Sequence, residues 1–321
     1  MDVAVGESSR PSEAERAALR ESLSRALPEI PPHYFYDDVG SELFERITAL
    51  DVYYPTRTEI AILEHWAPRI VERSGCQHLV ELGSGAGRKI RLLLDAWPRS
   101  QDDWSCTMLD INELFVRQSL ARLAADYPRC QFRGVVGNFV HDLDRLGPPG
   151  QRLIVFFAGT IGNLHPHERQ AFLQQLAAGM GARDRFLVGI DLVKDPARIE
   201  AAYNDPQGVT AAFNRNTLTV LNRRFQGDFD PSAFAHRAFF DTHHAWIEMR
   251  LRALRDTSVH LRGLDLRLDM HEGSEIRTEI SCKFTRERFV RDLADAGLWV
   301  DDWFSDPEQQ FALVLVRRAQ V

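Results

Sequence analysis

The chain has 321 residues, of which 44% are hydrophobic, so it is long enough for one large or two moderate globular domains. Its formal net charge of −7 and the lack of a long Lys/Arg tract argue against tight binding to a nucleic-acid backbone. The N-terminus lacks an apolar signal segment and no apolar run is long enough to cross a bilayer, so we expect no membrane partner.

The N-terminal part of the chain is predicted to be helical and aromatic. Residues 1 to about 11 are polar and expected to be disordered, and 12–27 form a predicted helix with a partly apolar face. The segment 33–58 is dense in tyrosine and phenylalanine. This composition suits either a lid over a pocket or a helical layer packed on the edge of a domain.

Strand-like and helix-like runs alternate after this segment. The predicted strands are 78–82, 105–109, 131–136, 153–157 and 185–190, and the predicted helices between them are 88–97, 111–125 and 166–180. Near the end, 299–304 and 311–316 predict an antiparallel hairpin at the edge of the sheet. Repeated βα units with this ending predict an α/β fold, a Rossmann-like class I methyltransferase sheet that is mostly parallel.

The alternation stops after Asp195 and returns at Thr285, which can cap a helix. The stretch between them begins with helical patterns and becomes strand-rich, so we predict a smaller inserted α+β domain. The expected domains are therefore a cofactor-binding methyltransferase domain at 1–195 and 285–321, which includes the N-terminal helical segment, and a substrate-binding insert at 196–284.

The most informative motif follows the first predicted strand and reads ELGSG at 81–85. Gly83 and Gly85, on either side of Ser84, let the backbone approach a ligand and turn its amides toward it. Arg88 stands where a dinucleotide fingerprint needs its third glycine. Glu-x-Gly-x-Gly is the form that holds S-adenosylmethionine (SAM), although the motif alone also allows another nucleotide or a structural turn.

Residues that follow the other strands complete a candidate cofactor site, because ligands of open α/β sheets bind beyond the carboxyl ends of the strands. Asp110 would accept hydrogen bonds from ribose hydroxyls, unless it caps a helix. Asn138 and Phe139 would contact the edge and face of adenine, and Lys89 would reach the cofactor carboxylate unless it is a solvated lysine. Asn163 suits the amine and carboxylate of a zwitterion rather than a nucleic-acid base.

Cysteines and histidines do not predict a metal site. The four cysteines are scattered without metal-ligand spacing, which favours reduced, buried thiols and a cytoplasmic location. The histidine pairs at 165/167 and 243/244 have no third or fourth ligand at a suitable spacing. We therefore predict that no metal is bound.

Longer motifs carry a more specific resemblance, which covers the chain from about residue 28 to its end. They include FYD at 35–37, YYPTRTE at 53–59, GTIGNL at 159–164, DLVKD at 191–195, GVTAAFNRN at 208–216 and TEISCKF at 278–284. With these motifs the chain resembles the SAM-dependent histidine Nα-methyltransferases of ergothioneine biosynthesis. Those enzymes convert free L-histidine into hercynine, its trimethylated betaine, so the resemblance implies this substrate and SAM as the methyl donor.

The resemblance also implies how the amino-acid end of the substrate is held. Tyr53, Asn163 and Tyr203 would bind its amine and carboxylate and are the predicted catalytic residues. Tyr36 would lie nearby, and aromatic faces that include Phe44 would help to hold the growing cation.

The imidazole would be bound by residues of the insert, so that the substrate lies between the two domains. Glu279 and Ser281 would accept from and donate to the ring, and Met249 would line its pocket. Glu279 and Ser281 are at alternate positions of a strand, so their side chains point to the same face. That face either binds the imidazole or is a solvent-exposed side of the strand. The chain departs from the family pattern at Asn138, where relatives commonly have Asp, and at Ala158, where they tend to have Gly; the first change is expected to weaken cofactor binding.

The expected partners are therefore the small molecules L-histidine and SAM, without nucleic acid or membrane, and the protein is expected to be a monomer. The alternative interpretation is an N-methyltransferase for another small aromatic amino acid or amine. Turnover on a panel of free amino acids distinguishes these two functions.

Overall fold

The computed structural model describes residues 2–5, 11–97 and 104–319, and within these limits the chain forms two compact units. Unit 1 comprises Met1–Gly6, Tyr54–Lys194 and Cys282–Val321, and unit 2 comprises Glu7–Tyr53 and Asp195–Ser281. The second stretch of unit 2, Asp195–Ser281, lies close to the limits 196–284 expected for the insert. The N-terminal helical segment differs from expectation, because it groups with unit 2 rather than with the sheet.

Strands and helices are numbered here in chain order. The strands are β1 (Asp2–Val5), β2 (His78–Leu82), β3 (Trp104–Asp110), β4 (Cys130–Val136), β5 (Arg152–Phe156), β6 (Arg185–Asp191), β7 (Phe234–Asp241), β8 (Trp246–Ala253), β9 (Thr257–Leu261), β10 (Leu266–Met270), β11 (Glu275–Cys282), β12 (Leu298–Ser305) and β13 (Phe311–Arg318). The helices are α1 (Glu13–Leu23), α2 (Asp38–Thr48), α3 (Tyr54–Ser74), α4 (Arg88–Asp95), α5 (Glu113–Asp126), α6 (Pro166–Gly179), α7 (Pro196–Tyr203), α8 (Val209–Phe225) and α9 (Arg286–Asp295). No helix of these described ranges is both long and apolar enough to span a membrane.

Unit 1 is built on an eight-stranded sheet with the order β1-β4-β3-β2-β5-β6-β13-β12. Neighbouring strands from β1 to β6 are parallel, whereas β13 runs antiparallel to both β6 and β12. This arrangement confirms the predicted mostly parallel α/β sheet with a C-terminal antiparallel hairpin. The expectation of disorder was wrong for Asp2–Val5, which forms a strand paired with β4. Residues 1 and 6–10 lie outside the described part of the chain.

The predicted sheet follows from apolar runs whose residues are buried on both faces. Leu79, Leu153, Leu187 and Leu313, from four neighbouring strands, belong to one buried cluster with apolar residues of the helices. Burial on both faces is expected where helices cover a parallel sheet. Because parallel strands end at a common edge, the residues that follow β2, β3, β4 and β5 are brought to the same edge of unit 1.

Unit 2 contains a three-stranded sheet, β11-β8-β7, and the antiparallel pair β9 and β10, together with α1, α2, α7 and α8. Its core joins Leu19, Leu23 and Tyr34 of the N-terminal segment to Leu221 and Phe225 of α8. These buried contacts explain why the N-terminal segment groups with unit 2. Within the segment 33–58, Tyr34 and Phe35 are almost completely buried in unit 2, which favours a packed helical layer over a loosely held lid for this part of the segment.

Candidate active site

The glycine-rich loop of unit 1 connects β2 to α4. Gly83, Gly85 and Gly87 have φ values of 69°, 48° and 68°, a left-handed conformation that favours glycine over other residues. The backbone amides of Gly83 and Ser84 donate to the carbonyl of Leu109 at 2.8 and 3.2 Å. The loop is therefore anchored to the end of β3, as a ligand-binding turn requires.

Asp110 ends β3 and supports the same loop. Its carboxylate accepts hydrogen bonds from the amides of Gly85 at 2.8 Å and Asn112 at 2.9 Å. Burial raises the pKa of Asp110, and the hydrogen bonds from the amides of Asn112 and Gly85 oppose that rise. Asn112, rather than Asp110, caps α5 through its side chain, so the helix-cap alternative for Asp110 is wrong.

Two buried polar atoms beside the loop lack a protein partner in the described chain. They are Oε2 of Glu81 and Oγ of Ser84, whose residues are only 3% and 5% exposed. Burial raises the pKa of Glu81 well above its ordinary value, and the positive charge of Lys89 counteracts part of this rise. A cationic ligand with hydrogen-bonding groups would satisfy both atoms, because unpaired buried polar atoms are costly.

Lys89, at the start of α4, is held by a carboxylate that was not singled out from the sequence. Its Nζ lies 2.6 Å from Oε2 of Glu59, which is fully buried and also accepts from the amide of Ala158 at 2.9 Å. A Cβ on Gly189 would lie 2.2 Å from this carboxylate, so glycine there leaves the space that Glu59 fills. Lys89 is therefore not merely a solvated lysine, and Glu59 links α3, α4 and the loop after β5.

We expect Glu59→Gln to lower the free energy of unfolding by about 2–4 kcal/mol, because it leaves a largely buried Lys89 charge without its counterion. Urea unfolding measures this loss. The double variant Glu59→Gln/Lys89→Met should recover most of it, because the unpaired charge is then gone. A double variant as unstable as the single one would contradict this role of the pair.

Asn138 and Phe139 follow β4 in a tight turn. The side-chain oxygen of Asn138 accepts from the amide of Val140 at 3.0 Å, and its backbone amide donates to Asp142 at 2.7 Å. Phe139 packs edge-on against Phe156 with 4.8 Å between ring centroids. The turn thus uses the oxygen of the Asn138 amide and not its nitrogen, and the ring of Phe139 is fixed beside β5.

Asn163 ends a short 3₁₀ helix, Thr160–Asn163, that follows β5. Gly159, with a φ of 66°, starts this turn. A Cβ on Gly162 would lie 2.8 Å from the carbonyl oxygen of Cys282, so only glycine allows this close approach. The half-buried Asn163 is thereby held at the sheet edge that also carries the glycine loop.

A second charged cluster in unit 1 surrounds Asp191 at the end of β6. Its carboxylate accepts from the Tyr54 hydroxyl at 2.8 Å and pairs with Lys283 at 3.0 Å and with Lys194. Burial alone would raise the pKa of Asp191, but the two ammonium groups outweigh it and hold the pKa below its ordinary value. The sequence motifs contain these residues, but their spacing along the chain gives no sign that they meet.

Four predicted substrate residues of unit 2 form a continuous aromatic cluster. Tyr36 meets Phe44 edge-on at 5.7 Å, Phe44 meets Tyr53 at 6.4 Å, and Tyr53 meets Tyr203 at 6.2 Å between ring centroids. Phe213 of α8 packs against both Tyr36 and Phe44. These five side chains come from distant parts of the chain, and their faces and hydroxyls suit a cation bearing polar groups.

The predicted imidazole-binding residues lie on two strands of the three-stranded sheet in unit 2. Met249 is buried in β8, and the hydroxyl of Thr278 in β11 donates to its carbonyl at 3.1 Å. Glu279 and Ser281 are only 7% and 6% exposed. The solvent-facing alternative for this side of β11 is therefore wrong.

The structure thus assigns the candidate residues to two groups. Unit 1 carries the loop residues, Lys89, Asp110, Asn138, Phe139 and Asn163, whereas unit 2 carries Tyr36, Phe44, Tyr53, Tyr203, Met249, Glu279 and Ser281.

Across residues 11–97 and 104–319, no group of three or more His, Cys, Asp or Glu side chains has the geometry of a metal site.

Comparisons with known proteins agree on one family. A family model described as "Histidine-specific methyltransferase, SAM-dependent" matches residues 15–318. Two proteins named Histidine N-alpha-methyltransferase are 44% identical (Mycolicibacterium smegmatis) and 40% identical (Mycobacterium tuberculosis), over 96% and 95% of both chains respectively. Ergothioneine biosynthesis protein 1 of Neurospora crassa is 30% identical over 86% of this chain and 32% of its own length.

Proposed function

The chain belongs to the family of histidine-specific, SAM-dependent methyltransferases, and on this premise we propose that it transfers three methyl groups to the α-amine of free L-histidine. The product would be hercynine, and the reaction would be the first step of ergothioneine biosynthesis. The observation that carries this proposal is the match over nearly the whole chain to two relatives named for Nα-methylation of histidine.

The described residues of unit 1 fit SAM. The amine of the cofactor would satisfy Oε2 of Glu81, and the ribose hydroxyls would donate to Asp110, whose carboxylate already holds the loop. Lys89 would pair with the cofactor carboxylate, while Asn138 and Phe139 would contact adenine. Burial, together with the carboxylates of Asp110 and Glu59, raises the pKa of Glu81, and a bound cation would stabilise the ionised form of this side chain.

Unit 2 would supply most of the contacts to histidine. Within unit 2, Tyr53 and Tyr203 would bind the amine and carboxylate, and Glu279 and Ser281 would bind the imidazole. Burial supports the second assignment, because a hydrogen bond to a nearly buried carboxylate is stronger than one in water. Met249 would form an apolar wall for the ring.

The chemistry requires a neutral α-amine aligned with the methyl group. SAM, when bound, supplies an electrophilic methyl group on its sulfonium. The protein's work is therefore to align the amine nitrogen and to exclude water from it. For each methyl group that the nitrogen gains, one proton would pass to solvent and one S-adenosylhomocysteine would be released. The nitrogen thus loses N–H groups, and contacts that accept hydrogen bonds are replaced by contacts between its methyl groups and aromatic faces.

We expect Phe44→Leu to slow the third methylation by about 3- to 30-fold, because it removes an aromatic face from the quaternary cation. The dimethylated intermediate should then accumulate, which mass spectrometry of a reaction time course detects. The first methylation in the same variant is the internal control and should change less. A third step as fast as in the wild type would exclude this role of Phe44.

We also propose that the protein acts as a cytoplasmic monomer without nucleic-acid or membrane partners. The four cysteines are free and buried, which supports a reducing compartment. Light scattering of the purified protein measures the oligomeric state.

A turnover assay on a panel of free amino acids tests the substrate. Histidine should be the preferred acceptor, with tryptophan, tyrosine and phenylalanine methylated much more slowly, because they lack a group that both donates to Glu279 and accepts from Ser281. Preference for another aromatic amino acid or amine would establish the alternative function instead.

A further inference from the structure

A series of hydrogen bonds in unit 2 ends at the backbone carbonyl of Tyr203. His236 of β7 has its Nε2 2.9 Å from the carbonyl oxygen of Tyr203 and its Nδ1 2.9 Å from Nδ2 of Asn214 in α8. The same Asn214 nitrogen lies 3.0 Å from the carbonyl oxygen of Arg250 in β8. These hydrogen bonds connect α8, β7, β8 and the end of α7. They lie inside the unit, because Asn214 is fully buried.

These contacts determine which nitrogen of His236 carries the proton. A backbone carbonyl can only accept, so the Asn214 atom that faces Arg250 must be the amide nitrogen, which donates. That nitrogen also donates to Nδ1 of His236, which must therefore be unprotonated. The proton of a neutral ring then lies on Nε2, and it is donated to the carbonyl of Tyr203.

We propose that His236 is a positioning residue for histidine methylation, acting through the hydrogen bond by which its Nε2–H holds Tyr203 in place. This inference rests on the proposed function, in which Tyr203 binds the amino-acid end of the substrate. Tyr203 is the last residue of α7, and its backbone carbonyl accepts the hydrogen bond from Nε2 of His236. The ring of Tyr203 contacts the ring of Tyr53.

The surroundings of His236 favour the neutral form of its ring. Burial lowers the pKa of His236, and the positive charge of Arg215 on α8 lowers it further. The hydrogen bond to Tyr203 and the carboxylate of Asp205 raise it, but the net shift of the pKa is downward. A protonated ring would place Nδ1–H against the amide hydrogens of Asn214, so the neutral form is required for the whole chain of hydrogen bonds.

Steady-state kinetics of two substitutions test the positioning role. His236→Leu removes the donor and should lower kcat/KM for histidine by about 10- to 100-fold, while the affinity for S-adenosylhomocysteine stays near the wild-type value. His236→Gln keeps an amide that can donate to Tyr203 and should recover most of this loss. His260→Gln, an exposed histidine on β9 of the same unit, is the control and should have wild-type kinetics.

The outcomes separate this inference from the proposed function. A wild-type protein that leaves histidine unmethylated overturns the proposed function. If the wild type methylates histidine and His236→Leu does so equally well, only the positioning role is overturned. The positioning role also fails if His236→Gln is folded but no more active than His236→Leu.

Nitrogen NMR of the wild-type protein labelled with ¹⁵N-histidine tests the same inference without relying on a variant's kinetics. The His236 signals, assigned by their absence in His236→Gln, should show the neutral Nε2–H tautomer at pH 6.5. A proton on Nδ1 under these conditions overturns the inference. If His236→Gln does not fold, a long-range correlation from the Asn214 amide to Nδ1 provides the assignment.

Discussion

Glu279→Ala is expected to lower kcat/KM for histidine by about 100-fold while leaving the affinity for SAM near the wild-type value. Glu279 is nearly buried on β11, so its carboxylate would bind the imidazole N–H with little competition from water. A hydrogen bond to a charged group contributes about 1.5–3 kcal/mol, which corresponds to a loss of this size. Steady-state kinetics with histidine and calorimetry with SAM measure the two quantities separately.

Glu272→Ala is the matched control for this substitution. Glu272 is an exposed residue in the turn before β11, so its removal should leave both kinetics and SAM binding unchanged. Equal losses of histidine turnover and SAM affinity in Glu279→Ala would contradict the assignment of this carboxylate to the imidazole.

Asp110→Ala is expected to weaken SAM binding by about 100-fold. The substitution would remove the acceptor for the ribose hydroxyls and the carboxylate that holds the amides of Gly85 and Asn112. The loss should be present at saturating histidine, because the cofactor itself is held less well. Calorimetry with SAM measures the dissociation constant.

Asp126→Ala serves as its control, since Asp126 lies at the end of α5 and pairs with Arg91. Its SAM affinity should match that of the wild type. A folded Asp110→Ala protein with unchanged SAM affinity would exclude Asp110 from the cofactor site.

Local patterns were sufficient to predict most of unit 1. Apolar runs predicted the strands from 78–82 onward within two residues of their observed limits, because burial on both faces demands continuous apolar sequence. The glycines at 83 and 85 predicted a turn after the first predicted strand, and the structure adds that both have positive φ values. The same reasoning predicted where the cofactor candidates lie in the chain, because ligands of such sheets bind beyond the carboxyl ends of parallel strands.

Contacts between distant segments could not be predicted in this way. In the folded chain, Glu59 contacts Lys89 and Ala158, and Asp191 contacts Tyr54 and Lys283. These residues are far apart in the sequence. A charged residue in a motif looks the same whether it is buried or solvated. Its partner and its burial are properties of the folded chain.

Unit 2 was the harder part to predict. The aromatic segment near residue 36 gave two equal interpretations, because aromatic composition does not reveal which core receives the rings. The packing of Tyr34 against Phe225 of α8 places this ring in the core of unit 2 and favours a packed layer there. Alternation on β11 predicted that Glu279 and Ser281 share a face, and the structure adds that this face is buried.

Incubation of the purified protein with L-histidine and SAM, followed by mass spectrometry, tests the central claim most directly. We predict sequential products with one, two and three added methyl groups, all on the α-nitrogen, and full conversion to the trimethylated form when SAM is in excess. Unmodified histidine, or methyl groups on the imidazole, would contradict the account.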